Sequence, residues 1–167
     1  MPSILKLILI NNSAFKIIPK ASDLKNIILL SSNKFNIKIE ENAAFEIAKR
    51  SRGTPRIAIR LLKRIIDFSV VQNLTKISVE VVEDSLKKMR IDSEGLDDMD
   101  RKYLKCIAVD YNGGPVGIET LSASLLEQKD IIEDVIEPYL MQQGLVQRTS
   151  RGRILSEKGN NHINLNP

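Results

Sequence analysis

Two arginine-containing motifs have the residue types and the spacing to bind phosphate. The first is Thr54-Pro55-Arg56. Threonine followed by proline is typical of a helix start, because threonine can cap free amides and proline already has helical backbone angles. The free amides and the positive dipole end of that helix favour an anion, so Arg56 in the first turn could contact a nucleotide phosphate. The alternative is a solvated side chain, which is the commoner role of an arginine there.

The second motif is the run Arg148-Thr149-Ser150-Arg151-Gly152-Arg153, which lies between two short runs typical of strands. It predicts a hairpin whose tip presents the guanidinium groups of Arg148, Arg151 and Arg153, which suit bidentate phosphate contacts or a narrow minor groove of DNA. Phosphate contacts position a protein without reading bases, so this binding would be weakly sequence-selective. The alternative is a turn that is merely hydrophilic.

Several classes of catalytic chemistry are excluded by residue types. The sequence has one cysteine, Cys106, and one histidine, His162, so we expect no internal disulfide, Cys/His zinc site or Cys/His catalytic pair. It also contains no glycine-rich loop ending in Lys-Ser/Thr, which ATP hydrolysis by a motor requires. The acidic pair Glu83-Asp84 lies in a stretch with helical spacing rather than at a strand end. We therefore assign no catalytic and no metal-binding residue.

The charge distribution is more informative than the net charge of +4. Residues 1–91 carry roughly twice as many basic as acidic residues, whereas residues 92–147 carry about three times as many acidic as basic ones. A dense basic stretch without acids runs from Lys49 to Arg64 and indicates an anionic partner, the alternative being a solvated helix face. The longest apolar run, Ile4–Ile10, is far shorter than the roughly 20 residues of a membrane span. We expect a cytoplasmic protein without a membrane segment or signal peptide.

The pattern of apolar residues predicts a mainly α-helical chain. In the first half the predicted elements are helices Asp23–Lys34, Glu41–Arg50, Pro55–Val71 and Val79–Met89 or Arg90, and a short extended piece at Asn36–Ile39. Ser22 and Ser78 are the predicted N-caps of the first and last of these helices. Gly53 ends the second one, because glycine adopts the left-handed conformation without steric cost.

A boundary is predicted at Asp92-Ser93-Glu94-Gly95, which has small, polar, turn-forming residues. The elements predicted beyond it are a helix from Asp97 or Asp98, helix Ile118–Leu125, a helix from about Lys129 to Gln143 kinked by Pro138, and strands Leu145–Arg148 and Arg153–Ser156. Three helices and a hairpin constitute a winged helix.

The third of these helices occupies the position of a recognition helix. Its acidic residues argue against insertion into a DNA groove, because the duplex carries one negative charge per roughly 1.7 Å. These residues are Glu127, Asp130, Glu133, Asp134 and Glu137. The wing hairpin is therefore the better candidate for DNA contact.

Five motifs together resemble the C-terminal half of the RuvB family, the bacterial Holliday junction branch-migration motors, over about residues 21–160. They are Asp23-Leu24-Lys25-Asn26-Ile27-Ile28, Arg52-Gly53-Thr54-Pro55-Arg56-Ile57-Ala58, Gly113-Gly114-Pro115-Val116-Gly117, the run from Ile132 to Leu140, and the run from Gln147 to Arg153. The resemblance implies an AAA+ small helical lid domain over residues 21–91 and a winged-helix head over residues 92–160. Residues 1–20 would then be an unmatched N-terminal segment and residues 161–167 a tail.

The resemblance also implies roles for individual residues. Arg56 matches the family's sensor 2 arginine, which contacts ATP from the lid, and Arg148 and Arg153 match wing arginines that contact DNA. Lys129 stands where the family usually has a DNA-contacting arginine, and it keeps the charge but loses the bidentate fork. Two further departures are Ile59 in place of an asparagine and Ser150 in place of a proline.

The family acts as a hexameric ATPase with RuvA and RuvC in DNA recombination and repair, but residues 1–20 do not match the end of an ATPase domain. The phosphate loop, the magnesium-binding strand, the arginine finger and the region that docks on RuvA are not in the sequence. We therefore expect a truncated product with an Ile/Leu-rich hairpin or disorder at its start, no ATP hydrolysis and no cofactor of its own.

Three functions remain open: a fragment of the DNA-translocating motor, a stand-alone winged-helix DNA-binding module, and a subunit that joins hexamers of an intact homologue. A non-functional gene fragment is a further alternative.

Overall fold

Two separate clusters of buried apolar side chains divide the chain in the computed structural model, which describes residues 19–165. The first cluster includes Leu24, Ile47, Leu62, Ile65 and Leu86, and the second includes Leu96, Tyr103, Ile107, Leu121 and Leu140. The change from one core to the other falls at the predicted boundary near residues 92–95. The expectation of a hairpin or disorder before residue 19 lies outside the described residues.

The first core is enclosed by four helices and a two-stranded parallel sheet. The elements are α1 (Ala21–Lys34), β1 (Lys38–Ile39), α2 (Glu41–Lys49), α3 (Pro55–Val71), β2 (Lys76–Ile77) and α4 (Val79–Lys88). Lys38 pairs with Lys76 and Ile39 with Ile77. All four predicted helices are therefore present, whereas β2 was not predicted, because a two-residue strand leaves no periodic pattern.

Capping explains where these helices begin. Ser78 caps α4 as predicted, since its hydroxyl accepts a hydrogen bond from the Val81 amide at 3.5 Å. The prediction that Ser22 caps α1 is wrong, because the helix already begins at Ala21 and the Lys20 amide donates to Asp23 Oδ2 at 3.2 Å. Thr54 occupies the N-cap position of α3, but its hydroxyl donates to Arg52 O at 3.2 Å instead of capping the helix amides.

The second core is built from the remaining elements. They are α5 (Asp98–Lys105) continued by a π-helical turn (Cys106–Asp110), α6 (Ile118–Leu125), α7 (Lys129–Ile131), a second π-helical turn (Ile132–Ile136), α8 (Glu137–Gln142), β3 (Val146–Thr149), β4 (Gly152–Leu155) and α9 (Glu157–Leu165). Asp97 caps α5 by accepting hydrogen bonds from the amides of Met99 and Asp100. The residues predicted as a tail from 161 onward thus continue α9 as far as Leu165.

The predicted helix from Lys129 to Gln143 is one continuous helical element with a wide turn in its middle. Pro138 has no amide to donate, and we predicted a kink that frees the carbonyl of Asp134. The structure instead contains the π-helical turn Ile132–Ile136 directly before α8, where Pro138 occupies the first turn. The wider π-helical turn changes the backbone hydrogen-bonding pattern just before Pro138, which has no amide hydrogen to donate.

The wing is an antiparallel two-stranded hairpin with a single-residue β-bridge at its side. Val146 pairs with Leu155 and Thr149 with Gly152, leaving a two-residue turn. Val116 bridges to Arg153 through hydrogen bonds of 3.0 Å and 2.8 Å. A Cβ atom on Gly152 would lie 2.4 Å from Val116 O, so glycine is required for this close approach. The second half is thus a winged helix, as predicted.

Candidate nucleic-acid interface and phosphate site

A buried carboxylate, Glu137 at the start of α8, joins the helices of the head to the wing. Its side chain is 1% exposed. Tyr103 OH donates to Oε1 at 2.9 Å and Arg153 Nε to the same oxygen at 2.7 Å, while Arg148 Nη2 donates to Oε2 at 2.5 Å. Glu133, one turn earlier, accepts from Arg153 Nη2 at 2.6 Å. We call these five residues the Glu137 cluster.

The pKa shifts of Glu137 and Arg153 both favour the charged form of the side chain. Burial acts to raise the pKa of Glu137, but hydrogen bonds from Arg153, Arg148 and Tyr103 outweigh burial and hold it below its usual value. Burial likewise acts to lower the pKa of Arg153, and its bond to Glu137 raises it instead. Burial and the Glu137 charge raise the pKa of Tyr103. The tyrosine therefore stays a neutral donor.

The prediction that Arg153 projects from the wing tip is wrong. Its side chain is 9% exposed and is enclosed by Glu137 and Glu133. The cause is the register of the hairpin, in which Arg148 and Arg153 are direct partners and so lie on the same face of the two strands. That face covers the buried Glu137, and both arginines turn towards it.

Two guanidinium groups remain accessible at the wing. Arg151 lies in the turn, is exposed, and has no ion-pair partner within residues 19–165. The Arg148 side chain is 48% exposed although it contacts Glu137. Thr149 Oγ1 donates to Gly152 O at 2.8 Å and accepts from the Arg151 amide at 3.2 Å, which fixes the backbone of the turn. The wing therefore presents two accessible cations, Arg148 on β3 and Arg151 in the turn, instead of the three predicted.

Lys129, the other predicted DNA contact, lies at the start of α7. Its Nζ is 2.5 Å from Glu119 Oε1, and 52% of its side chain is exposed. The outward face of the following turns carries Asp130, Ile131, Asp134 and Val135, all exposed. The helix predicted at the recognition position thus presents acidic and apolar groups to solvent.

The basic stretch from Lys49 to Arg64 separates into two groups. Lys49, Arg50 and Arg52 are paired: Lys49 and Arg50 contact Glu46, Arg50 also contacts Glu83, and Arg52 contacts carboxylates beyond the domain boundary. The others lie on α3 and are exposed, with no ion pair in the part of the chain that the structure describes; these are Arg56, Arg60, Lys63 and Arg64. Three of the seven basic residues of the stretch are therefore paired internally, and four are available to an anion.

Arg56 lies in the first turn of α3, directly after Pro55. No side chain caps this helix start, and its first turn contains no acidic residue. The uncapped amides, the dipole and the exposed guanidinium all favour a negative charge at this end of the helix. Arg56 therefore lies in the first turn of a helix, as the sequence predicted. It belongs to the first of the two domains, whereas the wing belongs to the second.

The residue pattern alone does not identify Glu137 and Tyr103 as members of the wing site. Its charge groups Glu137 with the acids expected to repel DNA, although it directly follows Ile136 and lies two residues before Tyr139, both of them buried. The signal available in the sequence was an acidic residue between two positions expected in the core. Two arginines in the hairpin that follows could have been recognised as its partners. Among residues 19–165 no group of His, Cys, Asp and Glu is arranged to hold a metal ion, and no helix there is long and apolar enough to cross a membrane.

The four-helix domain and the winged helix that follows it define the class of the protein: a lid domain of the AAA type joined to a winged-helix domain. A model of the RuvB AAA lid domain matches residues 20–92, and a model of the RuvB C-terminal winged helix domain matches residues 93–164. The chain belongs to the RuvB family.

Known relatives agree with this assignment. The Holliday junction branch migration complex subunit RuvB of Granulibacter bethesdensis is 51% identical over 147 residues, which is 88% of this chain and 41% of the relative. That of Paramagnetospirillum magneticum is 49% identical over 87% of this chain and 42% of its own length. The structure of the Thermotoga maritima RuvB Holliday junction branch migration motor superposes with a TM-score of 0.85 at 46% identity, covering 88% of this chain and 49% of that one. The chain spans less than half the length of these relatives.

Replacing Glu137 by glutamine tests the cluster. Glu137→Gln removes the buried charge and leaves Arg153 with only Glu133, so we expect the free energy of unfolding to fall by about 3–5 kcal/mol in urea at pH 7. Because the folded-state pKa of Glu137 is lowered, its contribution is present above pH 4.5 and is lost as the pH falls through the folded value. The variant should lack this acid-dependent loss. The control Asp130→Asn, on the exposed face of α7, should change stability little, and equal effects of the two variants would contradict the assignment.

Proposed function

We propose that this chain supplies the lid and the DNA-holding head of a Holliday junction branch-migration motor. The observation that supports this proposal is the wing, where Arg151 lies in a turn fixed by its own hydrogen bonds and Arg148 lies on the adjoining strand, held by the Glu137 cluster. Relatives of about 50% identity carry the name of a Holliday junction branch migration complex subunit. Four-way or duplex DNA is therefore the proposed ligand.

The wing arginines divide their roles in this proposal. Arg151 contacts a phosphate directly, since no carboxylate among residues 19–165 forms an ion pair with its guanidinium. Arg148 has five N–H donors, so it can keep its bond to Glu137 and donate outward to a second phosphate. Arg153, which the resemblance made a DNA contact, acts indirectly by fixing the strand that carries it against Glu137. Lys129 adds a point charge at the edge of this surface.

Such an interface suits a protein that moves along DNA. Phosphate contacts are repeated at every nucleotide and carry no sequence information. The exposed acids Asp130, on α7, and Asp134, in the π-helical turn after it, would keep this helical element out of the major groove, where base-specific contacts would stop movement. The wing would therefore hold the duplex without fixing its register.

The salt dependence of DNA binding tests the wing. Arg148→Ala and Arg151→Ala should each reduce the slope of log K against log salt concentration by about one unit, because each variant loses one phosphate contact. The measurement is a fluorescence-anisotropy titration of junction DNA at several salt concentrations. Arg64→Ala, which removes the same charge from the lid, is the control. If the control lowers the slope as much as the wing variants do, the wing is not the DNA contact.

The pairing of Arg148 with Glu133 gives a second test. Glu133 Oε1 lies 3.4 Å from Arg148 Nη2, so a DNA phosphate must compete with this carboxylate. Glu133→Gln should raise DNA affinity several-fold at low salt. Asp134→Asn makes the same charge change one residue later, on an exposed side chain, and should have a clearly smaller effect. Equal gains in DNA affinity from both variants would indicate that removal of any nearby negative charge strengthens binding. Glu133 would then not compete with a phosphate for Arg148.

We further propose that Arg56 contacts the phosphates of ATP held by an ATPase domain, the role that the resemblance implies. The support is its exposed position in an uncapped first turn without acids. In this proposal ATP and the partners are those of the branch-migration complex: further RuvB subunits in a hexamer, with RuvA and RuvC. The chain by itself binds no cofactor, hydrolyses no ATP and acts on DNA in the cytoplasm.

A chimaera tests Arg56. The ATPase domain of the Thermotoga maritima protein is joined ahead of residue 20, and ATP hydrolysis is measured with junction DNA. Arg56→Ala should raise KM for ATP about 10-fold or more, because a charge-assisted hydrogen bond contributes roughly 1.5–3 kcal/mol. Arg60→Ala, one turn further along α3, is the matched control and should leave KM unchanged. An unaltered KM in Arg56→Ala would remove this part of the proposal, whereas the unfused chain should show no turnover.

A further inference from the structure

One lid residue, Arg52 in the loop between α2 and α3, extends its side chain into the head. Its Nε donates to Gly95 O at 3.0 Å, and its Nη2 lies 3.3 Å from Asp97 Oδ2 and also contacts Asp100. The guanidinium carbon lies 4.8 Å from the centre of the Tyr139 ring. One side chain thus contacts the linker, the start of α5 and α8.

The surrounding junction is closely packed. Tyr139 OH donates to Glu94 O at 2.7 Å, which fixes the ring against the linker. A Cβ atom on Gly95 would lie 3.0 Å from Arg50 O, so the linker backbone lies directly against the lid backbone. Arg101 donates to Arg90 O at 2.7 Å and to Leu96 O at 2.9 Å, bridging the last residues of the lid and the first of the head.

The carboxylates that hold Arg52 also cap the first helix of the head. Asp97 accepts from the amide of Asp100 at 3.1 Å, and Asp100 accepts from the amide of Asp97 at 3.0 Å. The Asp100 side chain is 2% exposed and that of Arg52 is 15% exposed. Burial raises the pKa of Asp100 to about 6, and the charge of Arg52 opposes that rise. This contact is therefore a buried ion pair on a rigid helix start, unlike a solvated surface pair.

Arg52 also lies close to the proposed nucleotide contact. The segment Arg52–Arg56 begins with a side chain anchored in the head and ends with the exposed arginine at the start of α3. A force applied at Arg56 would be transmitted to the head through this short segment.

We propose that Arg52 is a positioning residue that locks the lid and the head into one rigid body. The coupling itself follows from the contacts of Arg52 and does not depend on the wing or on ATP. The further statement that this coupling transfers movement of the lid to the DNA-holding wing rests on the proposed function. Arginine is required because only a planar, forked cation can stack on Tyr139 while bonding Gly95 O and two carboxylates.

The test is 15N NMR relaxation of the full chain, which yields a rotational correlation time for the lid and another for the head. In the wild type the two values should agree. Arg52→Lys keeps the charge but loses the fork and the stacking, so we expect two different and shorter correlation times, with amide shifts in both cores unchanged. Arg60→Lys, the same substitution on an exposed position, should keep one common value. A single unchanged correlation time in folded Arg52→Lys would overturn the proposal.

A second variant covers the case in which Arg52→Lys unfolds. Arg52→Met combined with Asp100→Asn removes both charges, which avoids an unpaired buried carboxylate, and the asparagine oxygen can still accept from the Asp97 amide. It should also separate the two correlation times, and a single common value would again overturn the proposal. The DNA affinity of either variant should equal that of the wild type, since the wing is untouched. A wild-type chain whose DNA affinity does not change with salt concentration would instead contradict the proposed function alone and leave the coupling by Arg52 in place.

Discussion

The buried charge of Glu137 is the constraint on which the head depends. A carboxylate removed from water must be paired and hydrogen-bonded, because an unpaired buried charge strongly lowers the free energy of unfolding. Here the partners come from three places: Tyr103 on α5, and Arg148 and Arg153 on the two strands of the wing. Satisfying one acid therefore fixes the hairpin against the helices, and a wing that would otherwise be a two-stranded ribbon becomes part of the core.

The lid is attached by the same physical device. Asp100, another buried carboxylate of the head, is paired with an arginine from a different element, Arg52. In both places a helix of the head supplies the acid, and a loop or a hairpin supplies the arginine. Acids of the block 92–147 thus pair with arginines from the basic stretches on both sides of it. Part of the charge asymmetry of the sequence therefore serves internal pairing.

Local signals made most of the fold predictable from the sequence. Ser78 and Asp97 cap helices, and the boundary at residues 92–95 separates the two cores. The site was less predictable, because the side of the hairpin that Arg153 faces depends on the strand register and on Glu137, which is distant in sequence. The π-helical turn before Pro138 also escaped prediction, since a pattern of period 3.6 does not contain it. The type and position of most helices and strands could be predicted from the order of the residues. The burial of Arg153 and Glu137 could be established only from the packed structure.

The acidic helix and the basic wing then form one mechanism. In the DNA complex that we propose, a phosphate oxygen would take the place of Glu133 at Arg148, because carboxylate and phosphate accept the same forked donor. Glu137 is buried and would keep its bond to Arg148, whereas Glu133 is 40% exposed and could be displaced. Arg148 would thus be held in position by one acid and remain exchangeable at the other. Such a contact would form and break at little cost, a property that suits a protein moving along a phosphate backbone.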